Sequence, residues 1–249
     1  MSFICSVYIP EAIVMASDSR QSIVITSKDK DGKENPPIQT TSSDSVNKTF
    51  LLEEQGVGIS FAGDTLLGGI ATESHIKRFL EEKVVKTDDV VTIADKILDY
   101  FKANFPEANT NIHVCGFKKE GKSSVPYAFA LHVAGGTKER KNLKPNKKDF
   151  DYGVMWSGEG DIIARLLVAP LPKPSGSGEV IPPVPVVYAA MTPQDAVDFA
   201  IYLTRTTAET MRFQARPKTV GGSIDVLLLT PEEARWVQKK TIQGQITNG

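Results

Sequence analysis

The sequence is poor in the residues that metal, redox and disulfide chemistry needs: 249 residues contain two cysteines, Cys5 and Cys115, and three histidines, His75, His113 and His132. Two thiols are too few for a disulfide framework and lack metal-ligand spacing, so both read as buried thiols in strand-like runs. The histidines form no local motif, so no histidine-centred catalytic pattern is legible. No apolar run is long enough to span a bilayer, and the start lacks the basic stretch and apolar core of a signal peptide. A cytoplasmic chain without a membrane partner is expected. A charge bias is missing too: 29 basic against 30 acidic side chains leave a net of −1, which argues against a nucleic-acid partner. Gly68-Gly69 and Gly135-Gly136 match neither a dinucleotide-binding turn nor a phosphate loop. No cofactor and no metal is implied.

What is present is an ordinary globular composition, 41% hydrophobic and 24% charged, which suits one folded unit. We read 1–249 as a single domain with exposed loops near 22–46, 136–150 and 170–186. Two short strands, FICSVYI and AIVMAS, meet at Pro10-Glu11, and KTFLLEE and GVGISFA form a second pair turned at Gln55-Gly56. Between them, the Pro-Pro and Ser/Asp clusters of 22–46 mark an exposed loop or a loosely held hairpin.

Apolar residues then recur at three- and four-residue intervals from Leu66 to about Lys83, predicting a helix. A second helix carries Val90, Ile93, Ile97 and Phe101 behind a cap region at Thr87-Asp88-Asp89. Strands resume with NIHVCGF and PYAFALHV, and the basic segment Lys138 to Lys148 reads as a solvated loop. Trp156-Ser-Gly-Glu-Gly-Asp161 turns into a short helix, and Thr192-Pro193-Gln-Asp195 opens a longer one ending near Gln214. After Gly221-Gly222, SIDVLLLT is a strand, and EEARWVQKK closes as a helix or strand. Strand blocks alternating with helix pairs predict an α+β fold: two stacked, mainly antiparallel sheets flanked by helices, a four-layer αββα sandwich.

Ser2 draws attention because loss of Met1 would place a hydroxyl and a free α-amine on one residue. A terminal amine titrates near ~7.7–8.0, so at neutral pH part of it is free base able to take the hydroxyl proton. The stretch from Ser2 through FICSVYIPEAIVMAS to Asp18-Ser19-Arg20 resembles the opening of proteasome β-type subunits, with Asp18 sixteen positions after Ser2. Lys48-Thr-Phe-Leu-Leu and Val57-Gly-Ile-Ser-Phe-Ala-Gly63-Asp64 resemble that family's lysine-bearing strand and its Ala-Gly partner. The absence of a propeptide ahead of Ser2, and the Val220-Gly-Gly-Ser-Ile-Asp-Val-Leu run, resemble the bacterial proteasome-related proteins, HslV-like and especially Anbu-like.

The resemblance implies an N-terminal-nucleophile hydrolase fold and a protease, with Ser2 as nucleophile, Lys48 as the lysine that lowers its pKa, Asp18 as the carboxylate partner of Lys48, and Gly63 as oxyanion donor at the start of the Leu66 helix. For Asp18 and Lys48 a structural ion pair is the competing reading. Arg20 is an accessory candidate, and either Ser157 or Glu159 takes the place of an accessory serine. By the same analogy Gln21, Phe61 and Thr65 line a substrate pocket. The resemblance departs at three places: a longer segment between Arg20 and Lys48, Ser157-Gly158-Glu159-Gly160 where the family has Gly-Ser-Gly, and Arg216 to Val220 where it has an Asp and a Ser. The expected partners are a peptide or small amide substrate and further copies of the chain in a ring or helical homo-oligomer, with any ATPase or regulator unidentified. A catalytically inactive ring subunit and a small-molecule amidohydrolase are the alternatives.

Overall fold

The computed structural model describes residues 2–146, 149–172 and 180–241. Met1, whose removal the nucleophile reading needs, and residues 173–179 of the proline-rich excursion near 170–186 lie outside them.

The expected opening hairpin is present as β1 (Phe3–Tyr8) and β2 (Ile13–Ser17). The segment after it folds back as β3 (Gln21–Ile25) and β4 (Ile38–Ser43), so the polar stretch is a hairpin projecting from the body. β5 (Thr49–Leu52) and β6 (Val57–Gly63) form the second pair. The helix predicted from Leu66 begins later. Gly68 and Gly69 adopt positive φ of 56° and 80°, conformations that glycine takes at little cost, and they turn β7 (Leu66–Leu67) onto β8 (Ile70–Ala71). Helix α1 (Thr72–Lys83) follows, then α2 (Val90–Asn104), capped by the Asp89 side chain on the Thr92 N–H at 2.9 Å.

Next come β9 (Thr110–Glu120), β10 (Ser123–His132) and β11 (Thr137–Arg140). The last corrects the solvated-loop reading: Thr137 to Arg140 pair with β10, and the Arg140 guanidinium lies 3.5 Å from the Tyr127 ring centroid. Its charge is held over an aromatic face rather than left in water. Trp156 to Gly158, read as a turn, end strand β12 (Gly153–Gly158). Then follow α3 (Asp161–Leu167), β13 (Leu171–Pro172), β14 (Val180–Ile181) and α4 (Pro193–Phe213), which opens with a reciprocal Thr192–Asp195 capping box. β15 (Asp225–Leu229) and β16 (Ala234–Gln238) are the last elements among the described residues, so the EEARWVQKK segment carries a strand.

Two five-stranded antiparallel sheets organise this mixed α/β structure. One has the order β12-β1-β2-β15-β16 and the other β11-β10-β9-β6-β5. Alternation along β1 explains its uninterrupted burial. Phe3, Cys5 and Val7 pack into a cluster with Ile163, Val197 and Leu203 of α3 and α4, while Tyr8 joins Met15, Cys115, Ala128 and Leu227, residues drawn from both sheets. A strand covered on both faces reads as a continuous apolar run. On the second sheet, Ile59, Ile112 and Val114 pack against Ile76, Phe79, Ile93 and Ile97 of α1 and α2. Both cysteines are buried, and burial pushes their thiols up to about 12.

The sheets approach closely at Gly58, where a Cβ would sit 2.5 Å from the Met15 sulfur and 2.7 Å from a Leu227 methyl. We expect Gly58→Val to lower stability by about 1–3 kcal/mol through overpacking, measured by urea unfolding; an unchanged midpoint would contradict this packing.

Candidate active site

Ser2, Asp18, Lys48 and Gly63 meet at one rim of the paired sheets. Ser2 immediately precedes β1 and Asp18 immediately follows β2; Lys48 immediately precedes β5 and Gly63 ends β6. Antiparallel pairing, Ile4 with Ser17 and Thr49 with Ser60, brings each pair of ends together.

The Asp18 carboxylate is the hub. Its Oδ1 accepts from the Lys48 ammonium at 2.5 Å and from the Phe3 N–H at 2.9 Å; its Oδ2 accepts from the Arg20 N–H at 3.1 Å and the Gly221 N–H at 3.0 Å. The lysine and the amide that follows Ser2 therefore bind the same oxygen and are neighbours. Lys48 is 2% exposed and Asp18 1%. Burial pulls the lysine below its ordinary pKa range, and Asp18 opposes that pull. A second lysine hydrogen bond goes to the Arg20 carbonyl at 2.6 Å. The Arg20 guanidinium is held by Asp44, with Nε and Nη2 on its carboxylate at 2.6 and 2.8 Å; this holds the Asp44 carboxyl below its ordinary range.

Ser2 is buried, at 2% exposure, and its carbonyl accepts from the Glu159 N–H at 2.8 Å. Gly158 makes this approach possible. Its φ is 92°, and a Cβ there would lie 1.8 Å from the Ser2 oxygen and 3.5 Å from the Ala62 Cβ, so Ser2 sits beside the strand that ends at Gly63. Gly63 has φ 130°, and a Cβ would lie 2.1 Å from the Asn109 carbonyl oxygen. Phe61 donates its N–H to the Lys48 carbonyl at 2.9 Å, and Asp64 donates to Asn109 at 3.2 Å on the opposite side. Alternation turns the Gly63 N–H to the Lys48 side, past the end of β5. No helix begins there, because α1 starts at Thr72, so a helix dipole does not support that N–H.

The two candidates for the place of the accessory serine, Ser157 and Glu159, are both engaged, with different partners. Ser157 Oγ lies 3.0 Å from Nε2 of His113, whose Nδ1 lies 3.0 Å from Ser6 Oγ. The Glu159 carboxylate accepts from the Thr219 hydroxyl at 2.8 Å, while Arg216 pairs with Asp161 at 3.1 Å. Beyond these, Thr49 Oγ1 lies 2.9 Å from Ser17 Oγ and 2.8 Å from Ser60 Oγ. Sequence reasoning missed His113 and Thr219. A histidine inside the apolar run NIHVCGF marks an inward polar position; nothing local to Thr219 points to Glu159.

Beside Gly63 a cleft of about 380 Å³ opens between Gly63, Asp64 and Thr65 on one side and Ser22, Val24 and Gln39 of the β3–β4 hairpin on the other. Thr65 lies in it. Phe61 does not, being stacked on Phe50 within the helix-side cluster, and Gln21 stands next to the lining residue Ser22. Among the described residues no group of three or more His, Cys, Asp or Glu could hold a metal ion, and no helix is long and apolar enough to cross a membrane.

No protein-family model and no curated protein matches the chain. A solved structure does: that of a Gly-1 mutant of Anbu from Hyphomicrobium sp. strain MC1, with a TM-score of 0.59 and 16% identity over 96% of this chain and 86% of that one. The chain has the Anbu fold. The fold that the resemblance of the N-terminal motifs implied is therefore met in three dimensions.

His113 has a measurable consequence. Burial pushes its pKa from 6.5 down to about 3, so between those values the unfolded chain binds a proton that the folded chain refuses. Stability therefore falls as pH drops from 6.5 towards 3. In His113→Asn this component is absent, and the slope of unfolding free energy against pH should be shallower in that window; an equal slope would show that His113 is not buried neutral.

Proposed function

We propose that this chain is a proteasome-related N-terminal-nucleophile hydrolase that cleaves peptide or amide bonds through Ser2 once Met1 has been removed. The observation that carries the proposal is the shared Asp18 oxygen, which holds the Lys48 ammonium beside the residue that would become the N-terminus. The Anbu fold supports it, as does a packing order of helices, sheet, sheet and helices that we read as the four-layer sandwich.

In this reading the free α-amine of Ser2 takes the hydroxyl proton, and Oγ attacks the substrate carbonyl. Lys48 lowers the pKa of both groups by favouring negative charge and opposing a second positive one. The Gly63 N–H receives the oxyanion. The amine then returns its proton to the leaving nitrogen, and water, deprotonated by the same amine, releases the acyl group. Ser157, held by His113, is the nearer match to an accessory hydroxyl, because it faces Ile4 across β1 and so lies diagonal to Ser2. Glu159 positions the Ser2 carbonyl through its N–H. The cleft beside Gly63 takes the substrate, with Thr65 and the β3–β4 hairpin as its walls.

Intact mass and N-terminal sequencing test the first step, and a β-lactone probe tests the second. Mature protein should begin at Ser2 and gain one probe per chain, Ser2→Ala should gain none, and Lys48→Ala should label at least about 100-fold more slowly. A chain that keeps Met1, or one that starts at Ser2 and never labels, would make this a non-catalytic subunit. Self-association into a ring or helix is part of the proposal: light scattering should return a mass of several chains, and a monomer would refute it.

A further inference from the structure

A second cavity, of about 340 Å³, lies on the Oδ2 side of Asp18, between one face of α4 and residues 218–222. Its charges are unbalanced. Asp18 is matched by Lys48 at 2.5 Å and Arg20 by Asp44 at 2.6 Å. Arg205, Arg212 and Lys218 remain, against Glu209 as the remaining acid of the lining. Among the described residues neither Arg205 nor Arg212 forms an ion pair: Arg212 stands over the Phe213 ring at 5.4 Å, and the Lys218 ammonium donates to the Gln214 carbonyl. Arg205, Glu209 and Arg212 recur at four- and three-residue spacing, so α4 aims them at one side. Val220 and Ile224 supply an apolar floor, which raises the strength of charged contacts made above it.

We propose that this cavity binds a small phosphorylated anion, a phosphate ester or diphosphate, and that occupancy acts on the site at Ser2. Guanidinium groups present paired donors that match phosphate oxygens, and the volume falls at the small-ligand end of the range for such sites, roughly 300–1,000 Å³. The route to Ser2 is short. Gly221 packs against Arg20 so closely that a Cβ would lie 2.7 Å from its guanidinium carbon. The backbone N–H groups of these two residues are the donors that hold Asp18 Oδ2. A ligand seated on Gly221 and Gly222 therefore bears on the carboxylate that sets Lys48. Binding stands on the cavity alone; its effect on Ser2 rests on the hydrolase reading.

The full chain is titrated with inorganic pyrophosphate by calorimetry, with sodium chloride at matched ionic strength as the control. We expect saturable binding at one site per chain, unchanged in Ser2→Ala. Arg205→Glu with Arg212→Glu, both on an exposed helix face, should weaken it by roughly tenfold or more for each guanidinium removed; Lys218→Gln should weaken it less. Pyrophosphate should also change the β-lactone labelling rate of the parent chain and not of the double variant. No saturable heat, equal effects from chloride, or undiminished binding in a double variant of unchanged melting temperature would overturn the site. Intact binding without labelling in any condition would overturn the hydrolase reading alone.

Discussion

A single buried carboxylate ties the structure's distant parts together. Asp18 accepts four hydrogen bonds, from Phe3, Arg20, Lys48 and Gly221, and its donors come from the first strand, its own turn, the opposite sheet and the segment after α4. A charge this deep is unfavourable unless nearly all its lone pairs are matched. Removing one partner of a buried ion pair typically costs about 3–5 kcal/mol, so the chain reaches its native arrangement only when all four segments converge. Lys48 gains equally, because its ammonium would be forced towards the neutral form without that oxygen.

Much of this was legible along the chain, and the reason is locality. The β1–β2 hairpin, the Asp89 cap and the Thr192–Asp195 box depend on neighbours within a few residues, where side-chain chemistry and backbone conformation are linked directly. Residues 64–71 misled because Leu66, Leu67 and Ile70 keep helical spacing while Gly68 and Gly69 impose a turn; the glycine pair decided the backbone and the apolar residues followed. Thr137 to Arg140 misled for the opposite reason: their charges suggest a loop, yet strand pairing and the Tyr127 ring hold them. Contacts such as Glu159 with Thr219 and His113 with Ser157 join residues 60 and 44 positions apart, and no periodicity records them.

The likeness to Anbu at 16% identity fits the way this core is built. Positions such as Ile59, Ile97 and Val114 need volume and apolarity rather than a particular residue, so very different sequences can fill them within one fold. The glycines are different. Gly158 and Gly63 each stand where a Cβ would run into a backbone oxygen, at 1.8 and 2.1 Å. Such places accept no drift without moving the strand ends that frame the rim.

The hydroxyl contacts buried between the sheets have one more consequence. Ser17, Thr49 and Ser60 on one side, and Ser6, His113 and Ser157 on the other, span the gap with directional bonds. Two apolar faces alone resist sliding only by their bumps, and a small shift would cost little. Donors and acceptors that find partners in one alignment work instead like the teeth of a key. They fix where one half of the molecule sits against the other, and so how far Ser2 and Asp18, carried by the first sheet, stand from Lys48 and Gly63, carried by the second.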